Sequence, residues 1–253
     1  MTDRKRLIPH ERSLVVSIDF PGLGAIRELV RAMREVQGPI GAFKIGKIPT
    51  MRDGLPAVVD VVRSEFGEPV PIIYDDQKAG NDIPDLAVPF ATEVHYAQCD
   101  AVIIYPFAGL KTQKAWTEAC RDVGLTVLVG AEMTHEDHLL KDGGYLCNDL
   151  MRRVLNSAIS SGVTNFVLPG TKLESIELGM HILNSRLGRG NFDVYSPGII
   201  TQGGVLEFGA LHVGRYYHPI VGRALANLRL SSERTAKATA LLALFAATPP
   251  KAA

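Results

Sequence analysis

Short apolar runs alternate along this chain with stretches whose apolar residues recur every three or four positions. The first run, Leu14-Val15-Val16-Ser17-Ile18, ends at Asp19. After Pro21-Gly22, the residues Ile26, Leu29, Val30 and Met33 fall on one face of a helix. Gly38-Pro39 breaks that pattern before a second strand, Ile40 to Ile45, which carries Lys44 near its end. A helix from about Asp53 to Ser64 follows, and then a β-branched and aromatic strand from Val70 to Tyr74. The alternation continues with strand Asp100 to Tyr105, helix Lys111 to Val123 and strand Leu125 to Val129. Helix Leu150 to Ile159, strand Thr164 to Leu168, helix Leu173 to Leu183 and strand Phe192 to Tyr195 come next. A last strand ends at Val221 and helix returns from Leu225.

Eight strand-then-helix units in one chain of 253 residues predict an α/β fold, a single (β/α)8 TIM barrel spanning 1–253. Residues 1–13 read as an N-terminal extension and 248–253 as a frayed tail after Pro249-Pro250. A doubly wound sheet is the runner-up. The barrel is favoured by where the polar residues fall. Asp19, Lys44, Asp76, Lys78, Thr134, Gln202 and Arg223 each stand at or just past the C-terminal end of a strand. In a barrel those ends form one rim, where active sites sit.

The densest charge cluster in an apolar setting is Tyr74-Asp75-Asp76-Gln77-Lys78, followed by Gly80-Asn81-Asp82-Ile83-Pro84. Strand alternation carried through this stretch puts Asp76 and Lys78 on one face and Asp75 on the other, with Gly80 and Asn81 turning the chain away. Together with Asp19 and Lys44 this makes two acids and two ammonium groups converging at one end of the barrel. Charges in such a place form either an ion-pair network or a site, and strand ends favour the site. Each group, flanked by an opposite charge, stays ionised.

Two further stretches add chemistry. Ser196-Pro197-Gly198-Ile199-Ile200-Thr201-Gln202-Gly203-Gly204 follows the seventh strand, and Val221-Gly222-Arg223 ends the eighth. Glycine-rich backbone can approach an anion and an arginine can grip phosphate oxygens in two-pronged fashion, so these loops predict a phosphate site. Glu132-Met133-Thr134-His135 after the fifth strand offers a carboxylate, a hydroxyl and an imidazole. No partner is visible for His135 or His138, so neither receives a role. Tyr105-Pro106-Phe107-Ala108-Gly109 reads as an apolar wall for a flat ring or, equally, as core.

Composition narrows the classes. The 27 basic and 27 acidic residues cancel, which leaves no electrostatic footprint for nucleic acid or an anionic membrane, so any anion must be gripped locally. The most apolar late run, Ala240 to Ala247, is too short to span a bilayer. Cys99, Cys120 and Cys147 have no metal or redox spacing and read as small buried residues of a reducing, cytoplasmic compartment. No metal site is expected from the histidine spacing either.

Asp76-Gln77-Lys78, Asp82-Ile83-Pro84, Glu132-Met133-Thr134-His135, Pro197 through Gln202-Gly203-Gly204, and Val221-Gly222-Arg223 occur in an order that resembles the orotidine 5′-phosphate decarboxylase family. The resemblance covers Leu14 to Leu225. It implies a carboxy-lyase that converts orotidine 5′-phosphate to uridine 5′-phosphate and carbon dioxide in de novo pyrimidine synthesis, without a cofactor. It further implies that Lys78 donates the proton, that Asp76 lies beside the substrate carboxylate and that Lys44 bridges Asp76 and the ribose. Asp19 would bind a ribose hydroxyl and Thr134 the pyrimidine edge. Pro197, Gln202, Gly203, Gly222 and Arg223 would hold the remainder of the nucleotide, with Gln202 and Arg223 on its phosphate. Asp82 would complete the charge array of the neighbouring subunit in a homodimer with shared sites.

This chain departs from the family's pattern in two places. Three residues rather than two separate Lys78 from Asp82, and Leu86 stands where threonine is usual. Two other readings compete. One is a magnesium-dependent sugar-phosphate decarboxylase or aldolase on a related barrel, and the other is a barrel that binds nucleotides without turning them over.

Overall fold

The computed structural model describes residues 6–76, 79–199 and 212–248. Eight parallel strands close into a barrel in sequence order: β1 (Leu14–Ile18), β2 (Ile40–Gly46), β3 (Ile72–Asp75), β4 (Ala101–Ile104), β5 (Thr126–Gly130), β6 (Asn165–Val167), β7 (Asp193–Ser196) and β8 (Tyr217–Val221). β8 returns to pair with β1 through Val15 and Val16. The barrel expected from the alternation is therefore the observed fold, and the doubly wound sheet is excluded.

Among the described residues the α-helices on the outside are α1 (Leu23–Arg34), α2 (Lys47–Asp53), α3 (Leu55–Phe66), α4 (Ala87–Tyr96), α5 (Leu110–Asp122), α6 (Leu150–Ser160), α7 (Leu173–Leu187), α8 (Arg223–Ala226) and α9 (Ser231–Ala247). Ile26, Leu29, Val30 and Met33 are all buried, as the period of α1 requires. α2 was not foreseen. It starts directly after β2 and buries only Pro49, so it carries no amphipathic period to read.

The strands divide the core by their two-residue period. Val16, Ile18, Phe43, Ile45, Ile72, Val102 and Ile104 face the helices. Val15, Ala42, Ile73, Ala101, Ile103, Leu128, Val167, Tyr195 and Ile220 fill the barrel interior, with Ile8 packed among them. Residues six to twelve are thus part of the fold. Leu7 and Ile8 close the N-terminal mouth of the barrel, and Arg12 pairs with Tyr217.

Candidate active site

At the opposite, C-terminal mouth the inward faces of the strands turn polar. On β1 the inward series Val15, Ser17 ends at Asp19, on β2 Ala42 is followed by Lys44, and on β3 Ile73 is followed by Asp75. Register then fixes the neighbours: Ser17 is opposite Lys44, and Gly46 is opposite Asp75. The Lys44 Nζ donates to Asp75 Oδ2 at 2.9 Å and to Asp19 Oδ1 at 3.3 Å. Ser17 Oγ donates to the other Asp19 oxygen at 2.5 Å. Gly46 makes this arrangement possible, because a Cβ there would lie 1.9 Å from Asp19 Oδ1.

Lys44 and Asp75 are both buried, with side chains 8% and 4% exposed, whereas Asp19 is half open to solvent. Burial alone pulls the Lys44 ammonium down, but the carboxylates of Asp75 and Asp19 outweigh it and hold its pKa above the ordinary lysine value. Lys44 thus keeps its charge, and the cluster presents the half-exposed Asp19 side chain to the cavity above.

The structure corrects the expected facing of Asp75 and Asp76. β3 ends at Asp75, so the alternation stops there. Asp75 points inward with Ile73, while Tyr74 faces outward and stacks on Phe90 with centroids 6.1 Å apart. Asp76 already belongs to the following turn, where its Oδ1 accepts from the Ala79 N–H at 2.8 Å. It is Asp75, not Asp76, that Lys44 bridges.

The loop after β3 is then pinned to its neighbour. The Ala79 carbonyl accepts from Tyr105 N, and Asn81 Oδ1 accepts from Phe107 N at 3.0 Å. Gly80 takes φ of 85° close to Pro106, a conformation and a clearance that suit glycine. Asp82 is exposed, as are Ile83 and Leu86. The Asp82 and Ile83 carbonyls are held by Thr112 Oγ1 and Trp116 Nε1.

A cavity of about 470 Å³ opens over the cluster. Asp19, Lys44, Asp75, Thr134, Pro197, Gly222 and Arg223 all line it, together with Ser17, Tyr105, Met133 and Ile199. Thr134 is braced from the next unit, since its carbonyl accepts from Thr171 Oγ1 at 2.9 Å. Glu132, buried just before it, is held by Lys172 at 3.0 Å and by Ser175 at 2.7 Å, so it anchors the loop to α7. Gly222 packs against Ser17 at the β8–β1 seam, and Arg223 starts α8 in the open. Lys78, Gln202 and Gly203 lie outside the described residues. Asp76 and Asp82 do not line the cavity.

Sequence reasoning passed over Ser17, turned Asp75 to the opposite face and read Tyr105 only as an apolar wall or core. The end of the apolar run would have identified Asp75, because alternation is only meaningful while the strand lasts. Cys99 and Cys120 are buried, with burial pushing each thiol up to about 12, so they are packing residues. Among the described residues no group of three or more His, Cys, Asp or Glu side chains is placed to hold a metal ion. No described helix is long and apolar enough to cross a membrane.

No family model matches the chain. A curated relative, orotidine 5′-phosphate decarboxylase of Pyrococcus furiosus, is 28% identical over 203 residues, which cover 80% of this chain and 86% of the relative. Among solved structures, the orotidine 5′-monophosphate decarboxylase of Methanocaldococcus jannaschii in complex with the inhibitor BMP superposes with a TM-score of 0.75. It is 21% identical and covers 92% of this chain and 99% of its own. Orotidine 5′-phosphate decarboxylase of Pyrococcus horikoshii gives 0.70 at 23% identity, covering 91% of this chain and 99% of its own. The two structures speak for the fold, and the curated relative adds the sequence likeness that the motifs foretold. In sequence the chain is similar to an orotidine 5′-phosphate decarboxylase, and its fold matches that of solved structures of such enzymes.

Proposed function

We propose that this protein decarboxylates orotidine 5′-phosphate, giving uridine 5′-phosphate and carbon dioxide in de novo pyrimidine synthesis with no cofactor. One observation carries the reading: a buried Lys44 held between Asp19 and Asp75 at the floor of a rim cavity, in a chain whose sequence relative bears that activity as its name.

Loss of the carboxylate leaves an electron pair on a pyrimidine carbon that has no electron sink. In this reading the Lys78 ammonium stands where that negative charge develops, stabilises it, and then delivers its proton to the ring carbon. Asp75 takes the place beside the substrate carboxylate that the motif reading gave to Asp76. Like-charge repulsion there is worth about 4 kcal/mol at roughly 4 Å and an effective dielectric near ~20. Enzymes lower barriers by about 8–23 kcal/mol, so repulsion is a minor contributor and the ammonium a major one. Lys44 holds Asp75 in place by its hydrogen bond and, with Asp19, meets the ribose hydroxyls. Thr134 reads the pyrimidine edge and Pro197 walls the ring. Gln202, Gly203, Gly222 and Arg223 hold the phosphate, whose grip closes the site over the reacting end.

The same reading makes the protein a cytoplasmic homodimer with shared sites. Asp82 sits on an exposed loop beside Ile83 and Leu86, which are 57% and 42% exposed, and a second copy would cover these apolar groups while receiving Asp82 in its own site. The decisive assay incubates orotidine 5′-phosphate with purified protein and no added metal, following loss of the orotate chromophore and appearance of uridine 5′-phosphate. Wild-type protein is expected to consume the substrate, and Lys78→Ala to bind uridine 5′-phosphate without turnover. An inert wild type would end the reading.

A further inference from the structure

The proposed reaction leaves several polar groups of the cavity without a role, and Tyr105 is the one that comes from a barrel strand beside Asp75. Tyr105 follows β4 on the inward face, continuing the series Ala101, Ile103. It is 3% exposed, yet it lines the cavity together with Asp75. Its backbone N–H is taken by Ala79, but its hydroxyl has no hydrogen-bond partner among the described residues. A phenol at a cavity wall with no protein partner among the described residues can offer its O–H to a group bound in the cavity.

The neighbouring strand is cut away to let the ring lie there. Gly130 ends β5 with an ordinary negative φ, so its backbone does not need glycine. The space does: a Cβ at Gly130 would stand 2.4 Å from both Cε1 and Cζ of Tyr105 and 2.9 Å from its hydroxyl oxygen. Two positions on adjacent strands thus act together to place a phenol at the edge of the cavity. Burial first, and the Asp75 carboxylate second, push the phenol far above its ordinary value, so it remains a neutral donor while the protein is folded.

We propose that Tyr105 donates a hydrogen bond to the reacting carboxylate of the substrate and thereby separates substrate from product. The inference rests on the decarboxylase reading. Asp75 and the phenol share one part of the wall. There the carboxylate of the substrate meets a like charge on one side and a donor on the other. A hydrogen bond from a neutral phenol to an anion is charge-assisted and stronger than one between neutral groups. Once carbon dioxide has left, the product carries a carbon–hydrogen bond in its place, which offers the phenol nothing. Substrate affinity then exceeds product affinity by the strength of this contact.

The test is Tyr105→Phe in the otherwise intact protein, which keeps the ring and its packing beside Gly130 and removes one oxygen. KM for orotidine 5′-phosphate should rise about tenfold, while the inhibition constant of uridine 5′-phosphate stays within about twofold. Unchanged product inhibition also shows that the variant is folded at its site. A phenol that met a pyrimidine carbonyl, or only packed, would move both constants together or neither, and either result overturns the proposal. Gly130→Ala, which displaces the ring from the opposite side, should reproduce the selective loss. Wild-type turnover is measured first: its absence sinks the decarboxylase reading, and its presence with no selective effect sinks this inference alone.

Discussion

Both mouths of the barrel carry buried charge, and they use it differently. At the N-terminal mouth Arg6 donates to Asp193 Oδ1 and to the Gly190 carbonyl, each at 2.7 Å, and lies over the Tyr216 ring with 3.2 Å to its centroid. Asp193 also stands 3.8 Å from His218 Nε2, and His218 Nδ1 meets Ser13 Oγ at 2.9 Å. Ile8, with Leu7 against it, packs into the barrel interior beside these groups, and the cavity of about 610 Å³ at this end is lined by Arg6 and Leu7 but not by Asp193 or His218, so the acid and the imidazole face packed protein. At the C-terminal mouth the arrangement is inverted, with the base Lys44 between two acids, and all three line a cavity of about 470 Å³ together with a phenol that has no hydrogen-bond partner among the described residues. A charge cluster therefore does not by itself mark a site. What marks it is charge held rigidly on one side and left facing open space on the other.

The largest expected effect breaks the open end while sparing the closed one. Asp75→Asn keeps the shape of the side chain and removes its charge, leaving Lys44 with Asp19 alone. We expect kcat/KM for orotidine 5′-phosphate to fall about a thousandfold, about 4 kcal/mol in the barrier, in protein that remains folded by near-ultraviolet circular dichroism. Asp76→Asn should cost less, because that carboxylate accepts from the Ala79 N–H in the turn. The reverse ranking of the two variants would return the role to Asp76.

That pair of residues also marks how far the sequence could be read. All eight strands were legible as apolar runs, because each is buried on both faces and continuous hydrophobicity leaves nothing else to be. The rim residues were legible as polar groups closing those runs. What failed was direction: alternation was carried past Asp75 into a turn that does not obey it. Leu7 and Ile8 were taken for an extension because two apolar residues in a charged stretch are too few to show a period. Tyr105 was legible as an apolar wall, but its hydroxyl became informative only when its partners could be counted and Gly130 was seen to make room for it.

The second prediction breaks the closed end. Asp193→Ala removes the acid shared by Arg6 and His218 and leaves the buried His218 ring without its acidic neighbour. Unfolding free energy in urea should drop by about 3 kcal/mol. KM and kcat of the folded protein should stay as they were, since no group lining the cavity is touched. A change in KM comparable to the loss of stability would mean the two mouths are coupled, and the comparison would fail.

The smallest effect sharpens the same comparison with pH. Burial holds His218 below the ordinary histidine value, against the pull of Asp193, and burial likewise lowers His138. The folded state therefore keeps these rings neutral where the unfolded chain, with a pKa near ~6.5, takes up protons. Their contribution to stability is complete above that value and is lost as pH falls through the folded pKa. Each contributes a slope of at most about 1.4 kcal/mol per pH unit. Lys44 runs the other way. Its folded pKa is raised, so its contribution is complete below about 10.4 and is lost only as pH climbs through the folded value. Between pH ~7.5 and ~5.5 the closed mouth should weaken while the charge state of Lys44 stays fixed. Urea titrations at the two pH values should show wild-type protein losing stability and His218→Gln losing less of it. If the variant kept the full wild-type slope, the acid sensitivity would belong elsewhere in the molecule.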